Sequence, residues 1–193
     1  MTSTMPATGD LATDPAGLDP VVLAQAEWPT APDDTLPAVP GFVTSTFSPL
    51  VVEVARRCLH AFFGPAPAGP ARGERTGVVL ASSTGDLATS AAVAQAVGQE
   101  RRVPPMLFYQ STPNAVVGYL TARWNLGGPV VCTVPLGDAL ADARACAGLL
   151  IQSGDADAVL VIVADQARAP HESDHAAALL IGPGSWTERD EVS

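Results

Sequence analysis

Several short segments of this 193-residue chain carry side chains that could bind a ligand or take part in a reaction. The segment 82–86, SSTGD, follows an apolar run and precedes an alanine-rich stretch, which predicts a strand, a tight loop and the start of a helix. Backbone N–H groups in such a loop can bind phosphate. An ordinary helix-capping turn uses the same residue types, so both interpretations stay open at this point.

A second segment, HESDHA, offers two imidazoles and a carboxylate from His171, Asp174 and His175. These are possible metal ligands, but the two histidines would share a face only if the segment were helical. Because the segment follows Pro170 and precedes an apolar run, we expect a loop and no metal site.

Three cysteines, Cys58, Cys132 and Cys146, are widely spaced, and each lies in an apolar stretch. Their odd number and surroundings favour buried free thiols that pack in the core of a protein from a reducing compartment. We therefore expect a cytoplasmic protein in which none of the three is a nucleophile.

Composition excludes some partners. Twenty acidic residues face ten arginines with no lysine, and the net charge is −10. Nucleic acids and anionic membranes need a basic surface, so neither is an expected partner. No apolar run reaches the roughly 18 residues of a membrane span, and residues 1–20 lack the basic and apolar regions of a signal peptide.

The apolar pattern then predicts the elements that position these residues. Residues 1–19 are expected to be a flexible leader, 20–184 one domain, and 185–193 a polar tail. Strands are predicted at 21–28, 77–81, 130–134, 158–163 and 175–182. Helices are predicted at 47–63, after residue 86, from Pro113 to about Asn125, and from Asp138 to Gly154. The segment 106–111, which follows Pro104-Pro105, is expected to be an extended loop or short turn.

Individual residues predict where two of these helices begin and end. Ser48 is the expected N-cap of the first helix, Pro49 is expected at its first helical position, and Gly64 is expected to end it. Asp138 is the expected N-cap of the last helix, and Gly154 its C-terminal glycine. Strands that alternate with helices predict an α/β fold with a mostly parallel or mixed sheet.

Three stretches of sequence carry a family resemblance. TGVVLASSTGDLAT is similar to a strand and its Gly-containing loop in the β-ketoacyl synthases, which are members of the thiolase superfamily. PPMLFYQSTPNAVVGYLTARWNLGGP is similar to the helix and Gly-Pro that follow in these enzymes. The strand–helix–strand unit 127–164, closed by HAAALLIG, resembles the segment that carries their nucleophile. The resemblance implies the N-terminal half of a thiolase-like fold, a five-stranded mixed sheet with helices on its faces.

The same resemblance implies that the chain lacks catalytic residues. The nucleophile position falls on Gly137, which has no thiol, and the match ends before the second half that supplies two histidines, or a histidine and an asparagine, in active family members. We therefore expect a non-catalytic, chain-length-factor-like subunit for fatty-acid or polyketide assembly. No cofactor and no metal are expected.

The resemblance also implies partners. In the family, the strand before the nucleophile lies at the dimer twofold, so a dimer seam is expected at Val130, Val131, Cys132, Thr133 and Val134. A full-length ketosynthase or a second copy of the chain is the expected partner. Acidic acyl carrier protein could contact three small basic spots, namely Arg56-Arg57, Arg72 with Arg75, and Arg101-Arg102.

Two other function classes stay open. One is a split condensing enzyme, an acyltransferase that is completed in trans by a partner. The other is a flavodoxin-like domain that would hold a phosphate or flavin through Ser83, Thr84 and Gly85.

Overall fold

A computed structural model describes residues 20–169 and 171–186 of the chain. The predicted leader at 1–19 and the part of the predicted tail from 187 onward lie outside the described residues. The elements, in chain order, are β1 (Val21–Trp28), α1 (Phe47–Phe63), α2 (Pro70–Gly73), β2 (Thr76–Ala81), α3 (Leu87–Gly98), α4 (Pro105–Gln110), α5 (Pro113–Trp124), β3 (Val130–Thr133), α6 (Ala139–Gln152), β4 (Ala158–Asp165), β5 (His175–Gly182) and a 3₁₀ turn (Gly184–Trp186).

The five strands form one mixed sheet in the order β1-β5-β4-β2-β3. Strand β2 pairs in parallel with β3 and with β4, whereas β5 is antiparallel to both β4 and β1. Parallel neighbours require a crossover connection, and here α3, α4 and α5 connect β2 to β3, while α6 connects β3 to β4. The predicted five-stranded mixed α/β sheet is confirmed.

Helices cover both faces of this sheet. On one face, α1 and α5 bury the larger core, in which Leu50 and Leu120 lie with Leu160 of β4. On the other face, α6 presents the small residues Ala143 and Ala147 to the valines of β2 and β4. The central strands are therefore apolar except for Thr76 at the start of β2 and Asp165 at the end of β4, as expected for strands covered on both sides.

A close approach of two backbones sets the position of β3 beside β2. A Cβ atom at Gly128 would lie 2.6 Å from the backbone nitrogen of Gly77, so only glycine fits there. The next residue, Pro129, accepts a hydrogen bond from the Val78 amide at 2.8 Å through its carbonyl oxygen. The Gly-Pro pair thus starts the parallel pairing of β3 with β2.

The predicted ends of α6 are confirmed. Asp138 accepts a hydrogen bond from the Ala141 amide at 2.9 Å, which satisfies one of the free donors of the first turn. Gly154 has a φ of 76°, and the Asp155 amide donates to the Leu150 carbonyl at 3.1 Å. This is the Schellman arrangement, which favours glycine at that position.

Other boundaries follow the predictions closely. The bounds of β1, α1 and β5 agree with them, and α5 begins at Pro113 with Thr112 at the N-cap. Strand β3 ends at Thr133, one residue before the predicted end, and β4 continues to Asp165, beyond the predicted Val163.

The predicted loop or turn at 106–111 is wrong, because Pro105–Gln110 forms the helix α4. Pro105 occupies its first turn, where the fixed φ of proline suits a helix and the missing N–H leaves no bond unmade. None of its residues is fully buried, so the segment lacks the buried apolar stripe that marks most helices in a sequence.

Two smaller expectations also need correction. The N-cap position of α1 is Thr46 and not Ser48, so Pro49 is the third helical residue and not the first. The Ser48 backbone amide donates to the Ser45 hydroxyl oxygen at 2.8 Å. Trp186 is an exception within the predicted polar tail, since it is only 9% exposed and stacks near Phe62. The Arg72 guanidinium lies 5.3 Å from the Trp186 ring centroid.

No helix among the described residues is both long enough and apolar enough to cross a membrane.

A carboxylate network ties the segment after β1 to α1. Arg56 donates two hydrogen bonds at 2.8 Å to Glu53, and Arg57 donates one at 2.7 Å. Arg57 also reaches Asp34 at 3.3 Å, and the Thr30 amide donates to that carboxylate at 2.7 Å. Hydrogen bonds from Arg56, followed by those from Arg57, lower the pKa of Glu53. Those from Thr30 lower the pKa of Asp34 to about 2.

This network predicts an acid-sensitive contribution to stability. Folding lowers both carboxyl pKa values, so their contribution is present above the unfolded-state pKa of about 4 and is lost as the pH falls toward about 2. Glu53→Gln should lower the free energy of unfolding by about 1–3 kcal/mol at neutral pH. Its melting temperature should then fall less steeply than that of the wild type between about pH 5 and pH 2.5.

Asp33→Asn is the control, because it removes an exposed carboxylate next to Asp34. This variant should keep the wild-type slope. Parallel melting curves for the wild type and Glu53→Gln across the acid range would show that the network contributes nothing.

Candidate functional site

Strand β3 is at one edge of the sheet, with β2 on its inner side and no described strand on its outer side. Its four residues, Val130–Thr133, carry no charge, and Val130 is 46% exposed. Val134, directly after the strand, is 69% exposed. An uncharged edge with free backbone donors and acceptors is open to pairing with another chain.

The opposite edge, β1, has features that discourage such pairing. Its register with β5 shifts between Val22 and Ala24, which is a bulge or irregularity, and the strand carries the exposed charge of Glu27. Bulges and edge charges are common protections against edge-to-edge association. Of the two edges, only β3 lacks these protections.

Helix α4 presents a second exposed apolar group. Met106 is 61% exposed, Phe108 is 65% exposed and Tyr109 is 57% exposed. Helix α4 contacts α3 and α5, and α5 in turn contacts β3. Exposed aromatic residues on α4, close to the open edge of β3, are typical of an interaction surface.

A cavity of about 340 Å³ lies where β2 and β3 end. Carboxyl ends of parallel strands are a common position for ligands. None of its lining residues is charged; they are Leu80, Ser82, Ser83, Thr84, Gly85, Pro113, Asn114, Cys132, Thr133 and Val134. Burial raises the pKa of the Cys132 thiol, so the group stays protonated and is a poor nucleophile.

The loop after β2 forms one wall of this cavity, and its backbone N–H groups at residues 82–85 already have acceptors. Asp165, at the end of β4, accepts from the Ser83 amide at 2.7 Å and the Thr84 amide at 3.0 Å. The same carboxylate oxygen accepts from the hydroxyls of Ser82 and Thr84. A phosphate would have to displace this carboxylate, so the geometry does not favour the phosphate- or flavin-binding interpretation of Ser83, Thr84 and Gly85.

The turn before α6 contains Gly137, the position that the resemblance aligns with a nucleophile. Asp142 accepts hydrogen bonds from the Leu136 amide at 3.1 Å and the Gly137 amide at 3.3 Å. Asp138 caps the same helix, so two carboxylates lie at its N-terminus. The positive end of the helix dipole is therefore already neutralised by the chain itself.

The remaining cysteines and the histidines are dispersed in the part of the chain that the structure describes. Burial raises the pKa of the Cys58 thiol to about 12, and Cys146 is half-buried on α6. The part of HESDHA before His175 lies in a loop, and the described residues include no group of three or more metal-ligating side chains.

Two of the three basic spots are occupied by contacts within the chain. Arg56 and Arg57 bind Glu53, as described above, and Arg75 donates to Asp157 and to the Gly154 carbonyl oxygen at 2.7 Å. Arg101 and Arg102 are exposed just before α4, and their guanidinium groups make no bond to a described residue.

Solved ketosynthases share this fold. A ketosynthase in complex with its chain length factor from Xenorhabdus doucetiae matches with a TM-score of 0.63 at 20% identity, over 86% of this chain and 80% of that chain. The ishigamide ketosynthase/chain length factor matches with a TM-score of 0.64 at 19% identity, over 80% and 49% of the two chains. A β-ketoacyl synthase from Burkholderia phymatum gives 0.66 at 17% identity, over 81% and 48%. In the last two comparisons the chain spans about half the length of the protein it matches.

The fold is therefore that of the N-terminal domain of a thiolase-like ketosynthase. Residues 26–181 match the sequence model of the "Beta-ketoacyl synthase, N-terminal domain". The chain belongs to the β-ketoacyl synthase family. No curated protein sequence matches it.

Sequence reasoning missed three features of the site. It did not find the exposed residues of α4, because it expected no helix there. It did not assign Asp142, although a carboxylate four residues after an Asp N-cap is a detectable signal. It could not find Asp165, which meets the loop 82–84 only through the pairing of β4 with β2.

The acidic N-terminus of α6 predicts that a thiol introduced at Gly137 will not be activated. In Gly137→Cys, the carboxylates of Asp138 and Asp142 should oppose the thiolate, so its pKa should stay at or above about 8.5. The measurement is the pH dependence of alkylation by iodoacetamide, with the wild type as background for the three native cysteines.

Adding Asp142→Asn to Gly137→Cys should lower the midpoint of alkylation, because one charge is removed while the helix remains. A midpoint near 7 or below in the single variant would contradict the prediction, since that value is typical of activated thiols.

Proposed function

We propose that this chain is a non-catalytic, chain-length-factor-like subunit that pairs with a full-length ketosynthase in fatty-acid or polyketide assembly. The observation that carries the proposal is the open, uncharged edge of β3 beside a turn that has no nucleophile. The partner would cover the edge and supply the catalytic residues.

Condensation of acyl groups proceeds through a covalent thioester, which needs an activated thiolate. Gly137 supplies no side chain, and Leu136 and Asp138 on either side of it are not nucleophiles. Cys132 is five residues earlier and has a raised pKa. We therefore assign the chain a structural role in acyl condensation, and a split enzyme would need the partner to bring the nucleophile.

The proposed seam consists of Val130, Val131, Cys132, Thr133 and Val134. Antiparallel pairing of β3 with the corresponding strand of a ketosynthase would satisfy the outer backbone groups of the strand, each hydrogen bond contributing about 0.5–1.5 kcal/mol. The exposed side chains of Val130 and Val134 would be buried in the same step. Two solved neighbours are complexes of a ketosynthase with a chain length factor, which supports a ketosynthase partner over a second copy.

The cavity at the ends of β2 and β3 suits an uncharged guest. Its lining is free of charge and includes Leu80, Pro113 and Val134. Apolar lining with a few neutral polar groups fits a growing acyl chain better than a phosphorylated cofactor. The cavity lies next to the proposed seam, so its depth would help to limit product chain length.

An acyl carrier protein is the proposed source of the acyl group, and Arg101 with Arg102 is its proposed contact. These are the exposed members of the three basic spots that lack a bond to a described residue. The three native cysteines are unpaired, which fits the reducing cytoplasm.

The first experiment is co-expression with a full-length ketosynthase encoded near it, followed by affinity purification and measurement of the mass of the complex. A stoichiometric heterodimer is expected. A homodimer or monomer that does not bind the synthase would contradict the proposed role. Condensation activity in the isolated chain would contradict the proposal that the chain is non-catalytic.

Charge placed at the seam should prevent this association. Val134→Asp would leave a carboxylate facing the partner's backbone, and we expect the affinity of the heterodimer to fall at least about tenfold. Val43→Asp is the matched control, because Val43 is 95% exposed on the segment between β1 and α1. Sedimentation velocity on both variants gives the measurement. Equal affinities would place the partner elsewhere.

The carrier-protein contact predicts a salt-dependent effect. Arg101→Ala with Arg102→Ala should weaken binding of an acidic acyl carrier protein to the heterodimer about fivefold to tenfold at low ionic strength, and less in high salt. Arg144→Ala removes an exposed arginine from α6 and serves as the control. Surface plasmon resonance at two salt concentrations measures both; an unchanged affinity in the double variant would exclude this contact.

A further inference from the structure

The loop after β2 has the form of an anion-binding site that is filled by the chain itself. Two consecutive amides, of Ser83 and Thr84, point at one carboxylate oxygen of Asp165 at 2.7 Å and 3.0 Å. The Ser82 hydroxyl lies 3.1 Å from the same oxygen, and the Thr84 hydroxyl lies 3.2 Å from it. Successive amides in a turn, joined by hydroxyls, are the donors that proteins use for phosphate and carboxylate ligands.

Contacts with other elements hold Asp165 in this position. Its neighbour Gln166 accepts from the Leu87 amide at 2.7 Å and donates to the Thr46 hydroxyl oxygen. The backbone N–H of Gln166 donates to the Thr84 hydroxyl oxygen at 3.0 Å. The end of β4 is thus fixed to the first turn of α3 and to the residue before α1, and these bonds hold the backbone that carries Asp165 beside the loop.

We propose that Asp165 is the resident anion of the loop 82–84: it occupies the donors that would otherwise bind an external oxyanion, and it positions the wall of the adjacent cavity. The loop residues Ser82, Ser83 and Thr84 line that cavity. The domain therefore needs no phosphorylated ligand to order this loop. This inference does not depend on the proposed function, since it concerns only contacts within the chain.

The proposal predicts chemical rescue by small anions. Asp165→Ala should lower the melting temperature by roughly 4–8 °C, because charge-assisted hydrogen bonds to partly buried donors are lost. Formate, which replaces the missing carboxylate, and inorganic phosphate should each restore part of that loss, relative to sodium chloride at equal ionic strength. Asp157→Ala removes an exposed carboxylate paired with Arg75, and it should show no rescue.

Restoration by formate alone would identify a carboxylate-sized site, and restoration by phosphate as well would identify a general oxyanion site. Either result supports the proposal. Equal effects of formate, phosphate and chloride on Asp165→Ala would overturn it, because a purely structural role for Asp165 provides no place for an anion.

A second variant covers the case in which Asp165→Ala does not fold. Asp165→Asn keeps an acceptor oxygen but loses the charge, and its amide resonances for Ser83 and Thr84 can be followed by NMR during titration with phosphate. We expect these two resonances to shift with phosphate in the variant and to stay unchanged in the wild type. The same shifts in the wild-type protein would show that Asp165 does not fill the loop.

Discussion

The parallel pairing of β2 with β4 determines where the other parts of the domain lie. Six residue pairs, from Thr76 with Ala158 to Ala81 with Val163, join these two strands at the centre of the sheet. Both strands are almost wholly buried, so helices must cover both faces. Because the strands are parallel, their carboxyl ends meet at one side, and the loops that follow β2, β3 and β4 converge there.

Carboxylates of the chain itself accept hydrogen bonds from backbone N–H groups on that side. Asp165 fills the loop after β2, Asp142 and Asp138 bind the turn before α6, and Asp86 caps α3 through the Thr89 amide. A backbone donor left without a partner is costly, so these contacts order the loops without a ligand. The cavity at the ends of β2 and β3 has no charged lining residue, which supports the proposed neutral guest. The carboxylates of Asp138 and Asp142 at the N-terminus of α6 oppose a thiolate at the turn.

The outer side of strand β3, at one edge of the same sheet, has no partner strand among the described residues. Strand β3 pairs only with β2, and its outer side lacks the bulge and charge that protect β1. The exposed apolar residues of α4 lie one element away from this edge, because α4 contacts α5 and α5 contacts β3. This open edge is the reason for the proposed pairing with a ketosynthase.

The sequence by itself determined the element types, most of their bounds and the family. Local signals were sufficient for these features: Asp138 and Gly154 define α6, and Pro113 marks the start of α5. The reason that position 128 must be glycine, its close approach to Gly77, appears only in the tertiary structure. Helix α4 escaped prediction since it buries no stripe of its own. Only the tertiary structure placed β3 at the edge of the sheet. It also brought Asp165 against the loop after β2, where its partner Ser83 lies 82 residues earlier in the chain. Contacts of that range depend on strand order, and strand order is decided by how the whole core packs and not by any local pattern.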